Sequence, residues 1–237
     1  MKLGISKKLQ DNYSNYYEVG ASEWRRLGAQ GKVGNIRRLC AGIRHSVVIE
    51  IGAGDGAVLR QLSEQNFAVK YFAVEVSESG VRAIFQEKIS HLVDCKVFDG
   101  YEIPYADNQF DLAILTHVLE HVEHPRALLY DVARVARFVF VEVPLEDTVR
   151  LPQDFAFDSV GHINNYSRRS FRRLIQSCGF VIREEIMSNP PLGTYIFKHG
   201  IRGRVAYYVK HILLLVWPSL ASKIFTYHYS ILFEKIA

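Results

Sequence analysis

Residues that could do chemistry gather in a few short stretches of this 237-residue chain. In the first, an apolar run ends at Glu50, and Gly52, Gly54 and Gly56 follow at alternate positions with Asp55 between the last two. Glycines so spaced let a chain turn tightly from a strand into a helix while its backbone approaches a ligand. Gly52, Gly54 and Ala57 also satisfy the loose G-x-G-x-x-G/A pattern of dinucleotide binders, in which a diphosphate rests on a helix amino terminus. Glu50 and Asp55 flank the turn, however, and would set two carboxylates beside those phosphates. Charge therefore favours a ligand carrying an ammonium and a sulfonium, whose own carboxylate can use the glycine-loop N–H groups; S-adenosylmethionine (SAM) is such a ligand.

Two histidine groups could move a proton. In "HVLEHVEH" stand His117, Glu120, His121 and His124; in "GHINNYS" stand His162 and Tyr166. Imidazole is the usual general base near neutral pH when a hydroxyl must lose its proton. His162 has no structural duty that the sequence reveals, so it is the first candidate for a general base and His121 the second. The competing reading is that either ring merely hydrogen-bonds loop backbone. His117-x-x-Glu120-His121 also spells a zinc-peptidase pattern, but it follows a strand here, which argues against that chemistry.

The elements that must position these groups alternate. Strand-like runs fall at 46–51, 70–76, 93–98, 111–115 and 137–143, with amphipathic helical stretches at 55–65, 79–89 and 125–136. Such alternation predicts parallel strands joined by right-handed crossovers. Near-continuous Val, Ile and Phe fits strands buried on both faces. Beyond 165, Ser167 is placed to cap a helix over 168–178, and Gly179 to end it. "FVIREEIM" and "TYHYSILFEK" then alternate as strands, with a helical insertion at about 189–225 between them. Residues 1–45 read as a helical cap and 46–237 as the main domain.

The ordered stretches "EIGAGDG", "AVEVS", "VFDG" and "FDLAILTHVLEHVEHP" resemble the class I SAM-dependent methyltransferases, small-molecule branch, over roughly residues 46–187. That resemblance implies a Rossmann-like α/β fold: a seven-stranded, mostly parallel sheet with helices on both faces and its last strand antiparallel. It implies that Glu50 and the Gly52-Ala53-Gly54 turn hold the methionine end of the cofactor, and that Glu75 accepts from both ribose hydroxyls. Asp99 should reach the adenine amino group with Gly100 leaving room, and Val76 should pack on the adenine face. Thr116 and His117 should lie near the sulfonium. Some quinone-pathway relatives hold a metal near Glu120 and His121, but His117 stands where the first acid would be, so no metal is expected. Related sugar and small-molecule enzymes resemble the "GHINNYS" run. Their likeness implies O-methylation of a sugar, glycolipid or other small or lipid-linked hydroxyl, with a quinone or prenylated acceptor as the alternative.

Trp24, Arg25 and Arg26 lie in the helical cap and, with Tyr166, are the candidate acceptor contacts. Either arginine could clamp a phosphate or carboxylate; both could equally be surface charges. Three well-separated cysteines, and an amino terminus without a signal pattern, read as a cytoplasmic protein. From Arg168 onward, eleven bases face three acids, which suits an anionic substrate or a membrane surface. No nucleic-acid motif appears. The apolar stretch 203–225 is too short to cross a bilayer and is broken by Pro218. A helical cover over the sheet or over a dimer partner is the favoured reading; peripheral membrane contact is the sharper one. Oligomeric state is not legible.

Overall fold

The computed structural model describes residues 22–154 and 161–235. Residues 1–21 of the expected cap lie outside the described residues.

Seven strands form one sheet: β1 (Val47–Ile51), β2 (Lys70–Glu75), β3 (Leu92–Val97), β4 (Phe110–Thr116), β5 (Ala136–Pro144), β6 (Phe180–Ser188) and β7 (His228–Lys235), in the order β3-β2-β1-β4-β5-β7-β6. β1 to β5 pair in parallel, and β7 runs antiparallel to both β5 and β6. The strand order reverses between β1 and β4. Open α/β sheets bind ligands at that switch point, beyond the carboxyl ends of the strands.

Helices cover both faces because the central strands are apolar on both. α1 (Ser22–Leu39), α2 (Ala57–Glu64) and α3 (Glu78–Gln86) pack one face, where Val33, Ile36, Leu59, Leu62 and Ile84 meet Tyr71, Ile114 and Phe140. α4 (Pro125–Val135) and α5 (Arg168–Ser177) pack the other, where Leu128, Val132, Phe171 and Ile175 meet Ile49, Val74, Leu115 and Val141. Ser167 begins α5 as its spacing predicts. Its hydroxyl accepts from Ser170 N at 3.1 Å, and the Ser170 hydroxyl accepts from Ser167 N at 2.9 Å. Gly179 then leaves the helix at a φ of 80°.

The insertion forms α6 (Leu192–Val216) and α7 (Pro218–Ile224). A non-helical residue, Gly200 (φ 58°, ψ −138°), divides α6. The chain then folds back so closely that a Cβ on Gly203 would lie 2.0 Å from Tyr195 O. The expected helical cover over the sheet is corrected here. Of α6 only Thr194 and Gly203 are buried, whereas Ile201 is 81% exposed, Leu215 70% and Trp217 62%. Aromatic and aliphatic side chains that periodicity assigns to a core face open space instead. No described helix is long and apolar enough to cross a membrane.

Candidate active site

The glycine turn leaves β1 with Gly52, Gly54 and Gly56 all at positive φ, between 61° and 77°. Gly52 needs its hydrogen for another reason too, since a Cβ there would sit 2.8 Å from Val118 Cγ2. The N–H groups of this turn are turned inward. Gly52 N and Ala53 N donate to Val74 O at 2.8 and 3.3 Å, Gly56 N to Ala53 O at 2.9 Å, and Gly54 N to Glu75 Oε2 at 2.9 Å. At these four positions the donors that a ligand carboxylate was expected to use have partners within the chain. The same engagement weakens the dinucleotide reading further, because a diphosphate relies on such donors.

Carboxylates dominate this end of the site. Glu50 is 1% exposed, and its buried Oε2 has no hydrogen-bond partner. Burial raises its pKa to about 8; Asp55 and Glu75 push the same way, against Lys32. Asp55 is joined by Arg25 Nε at 2.5 Å, so its charge is met within the chain. Glu75, also buried, accepts from Gly54 N and, at 3.3 Å, from Ser77 N, and burial raises its pKa. Asp99 accepts from Tyr101 N at 3.0 Å and Glu102 N at 2.8 Å, which fixes its carboxylate beyond β3 beside Gly100 at a φ of 91°. Val76 is partly buried against the core. A largely neutral buried acid and a strand-end acid beside a turn that offers few donors fit a cationic nucleoside better than an anionic one.

The fourth strand ends at Thr116, and His117 follows it. Thr116 is buried opposite Glu142 of β5. His117 takes a left-handed φ of 60°, which is costly for a residue with a Cβ. That turn sends its ring toward Glu142 and His228, while Val118 packs on Gly52. A single helix turn follows over Leu119–His121.

The "GHINNYS" loop is tied to that turn. Ile163 N and Asn164 N both donate to Glu120 O, at 2.8 and 3.0 Å, and Asn164 Nδ2 donates to Leu119 O and Val122 O. The result sets His162 against His121, with ring centroids 4.8 Å apart. Nδ1 of His162 lies 2.7 Å from Glu146 Oε2, and Nδ1 of His121 lies 3.2 Å from Gly161 O. Burial lowers the pKa of His121, which keeps that ring neutral. An Nδ1–H given to Glu146 would leave the lone pair of His162 on Nε2. This is the pairing of an imidazole with an orienting carboxylate that general-base chemistry uses.

Tyr166 packs into the core. Its buried hydroxyl donates to Leu119 O at 3.2 Å, and its ring packs on Phe171. Arg26 is held outward by Glu23 through two contacts of 2.7 and 2.9 Å. Trp24 is exposed and tilts against Phe197 of α6, 6.1 Å between centroids. Sequence reasoning did not single out Glu146, Glu142, His228 or Asn35. Glu142 carried a readable signal, an acid inside a strand apolar on both faces; the others lie where only tertiary contacts bring them in.

Residues 24–185 match the model of a family described as a methyltransferase domain, and the chain belongs to that family. It is a SAM-dependent methyltransferase. No curated protein matches the chain in sequence. Among solved structures, geranyl diphosphate C-methyltransferase from Streptomyces coelicolor A3(2) is similar with a TM-score of 0.67 at 12% identity, over 99% of this chain and 100% of that one. Coclaurine N-methyltransferase gives 0.66 at 13%, over 99% and 84%. A SAM-dependent methyltransferase from Aquifex aeolicus gives 0.59 at 15%, over 94% and 98%. At such identities the likeness shows the shared fold.

Proposed function

We propose that this methyltransferase acts on a hydroxyl of a small polar group, a sugar or its like, carried on a lipid. The observation that supports it best is the His162–Glu146 pair, 2.7 Å apart, beside a second and neutral imidazole, His121. SAM supplies an activated methyl group on a sulfonium. A hydroxyl is a weak nucleophile until its proton is removed, so the chain must furnish a base. His162 Nε2 takes that proton, and Glu146 holds the ring in the right tautomer and balances the imidazolium that forms. Glu50 faces the cationic end of the cofactor, Glu75 the ribose and Asp99 the adenine, while Asp55 is paired with Arg25. Positioning at near-attack distance supplies much of the remaining rate.

The lipid part rests on α6 and α7. Ile201, Val205, Val209, Ile212, Leu215 and Trp217 are exposed, and no Asp or Glu occurs between Leu192 and Ile224. Lys198, Arg202, Arg204 and Lys223 stand exposed among them. Apolar side chains interspersed with bases, without acids, complement an anionic lipid surface. The Trp24–Phe197 contact links that surface to α1.

Label transfer tests the reading. Enzyme, methyl-labelled SAM and a total polar lipid extract are incubated, with water-soluble sugars as a parallel arm. Label partitioning into the organic phase is expected. Label on the free sugars alone removes the lipid component, and no transfer to either pool removes the hydroxyl reading.

A further inference from the structure

A second buried cluster lies at the ends of β4 and β5 and the start of β7, apart from the His162–Glu146 pair. His117 Nε2 is 3.6 Å from Glu142 Oε1, and His228 Nδ1 is 3.2 Å from the same oxygen. All three atoms are buried without a hydrogen-bond partner in the protein. They also lie within 4.8 Å of one another. The two rings stand nearly edge to face, 4.5 Å between centroids. Glu142 is fully buried, and a buried carboxylate without compensation is costly.

The surroundings orient this trio. Glu142 Oε2 accepts from Asn35 Nδ2 and from the Ser230 hydroxyl, both at 2.7 Å, and Asn35 is steadied by the Ser188 hydroxyl at 2.8 Å. Those bonds leave Oε1 aimed at the histidines. On its far side, His117 Nδ1 lies 3.2 Å from Oε1 of Glu120, which is itself fully buried. Metal-bound histidines characteristically give their other ring N–H to a carboxylate, and metal-bound carboxylates are themselves hydrogen-bonded. For ligand bonds of about 2.0–2.2 Å in a tetrahedral site, neighbouring ligand atoms sit about 3.3–3.5 Å apart. Separations of 3.2 and 3.6 Å bracket that spacing. The left-handed backbone of His117, whose N–H donates to Glu142 O at 2.9 Å, is what brings its ring here.

We propose that His117 Nε2, Glu142 Oε1 and His228 Nδ1 bind one divalent transition-metal ion of the zinc type. Two imidazoles and one carboxylate suit Zn²⁺ or Co²⁺, whereas Mg²⁺ and Ca²⁺ require oxygen donors. Three protein ligands leave the fourth position to an oxygen donor. Lys32 acts on both histidines as a nearby cation. Glu120, His121 and His162 also come within 4.8 Å of one another, and the His162→Ala variant below separates that group from this one. The sequence reading expected no metal because His117 displaced an acid; the structure gives His117 other partners.

Binding of the metal alone tests this without any turnover, so failure of the acceptor reading leaves it untouched. The full chain, freed of metal by a chelator, is titrated with Co²⁺ and followed by visible absorption, with Zn²⁺ in competition. One Co²⁺ per chain with the intense absorption of tetrahedral coordination is expected. His228→Asn and Glu142→Gln should abolish that absorption, Asn35→Ala should weaken binding about 10–100-fold, and His162→Ala should leave it unchanged. Calorimetry with SAM verifies the fold of each variant; if Glu142→Gln does not fold, His228→Asn at the strand's first residue decides. No Co²⁺ uptake, uptake indifferent to His228→Asn, or uptake lost in His162→Ala overturns the proposal.

Discussion

Buried charge is handled in opposite ways by the two halves of the sheet. Around β1 to β3, two carboxylates are held by backbone donors: Glu75 by Gly54 N and Ser77 N, Asp99 by Tyr101 N and Glu102 N. Around β4, β5 and β7, carboxylates meet imidazoles: Glu142 with His117 and His228, Glu146 with His162. Backbone donors are present in every chain and fold into place locally. Imidazoles must be brought together from distant strands. The first arrangement suits a ligand of fixed shape, and the second suits proton or metal chemistry.

The comparison breaks most easily at His162. Replacement by Ala should lower kcat about 10²–10⁴-fold, the usual contribution of a general base, while calorimetry shows unchanged SAM affinity. A loss of SAM affinity instead would merge the two halves into one. Next in size, Glu75→Ala should weaken SAM binding about 10–100-fold, since hydrogen bonds to a charged group contribute roughly 1.5–3 kcal/mol. The His162–Glu146 distance should be unaffected, as a crystal structure of the variant would verify.

Acidity sharpens the contrast. Glu50 is raised to about 8 by burial, so it is largely protonated at pH 7 in the free protein. Its ionised form attracts an ammonium group. SAM affinity should therefore rise about tenfold per pH unit below 8 and level off above it. The sign for stability is the reverse. A carboxyl raised in the folded state stabilises fully below its unfolded pKa of about 4.3, and that contribution is lost as pH rises through 8. Calorimetry and melting across pH 6–9 read both slopes, and Glu50→Gln should flatten them.

The smallest effect lies outside both halves. Ser167→Ala removes the hydroxyl that accepts from Ser170 N and should cost about 1 kcal/mol. A fall in Tm of about 2–4 °C, with kcat retained, is expected.

What was legible in the sequence follows the same division. The glycine turn was readable from its spacing, and the placing of Glu75 and Asp99 at strand ends from period and apolar runs, whereas their roles came from the family resemblance alone. The β5-β7-β6 order places His228 opposite Pro144 and Ser188, a pairing that no local pattern encodes. Glu146 meets His162 only because Asn164 and Ile163 tie their loop to the turn after β4. Arg25 showed a charge but not its partner Asp55, thirty residues on. For α6, periodicity correctly gave a helix yet could not tell an apolar stripe that meets a core from one that meets solvent.

The hydroxyl assignment is tested most directly by the chemical identity of the product. Wild-type and His162→Ala enzymes, matched for SAM occupancy, are each given carbon-13-methyl SAM and the polar lipid extract, and the transferred methyl is read by NMR. An oxygen-bound methyl resonance from the wild type, nearly absent from the variant, is the expected result. A methyl on nitrogen or carbon, or an oxygen-bound methyl formed undiminished without His162, would contradict it.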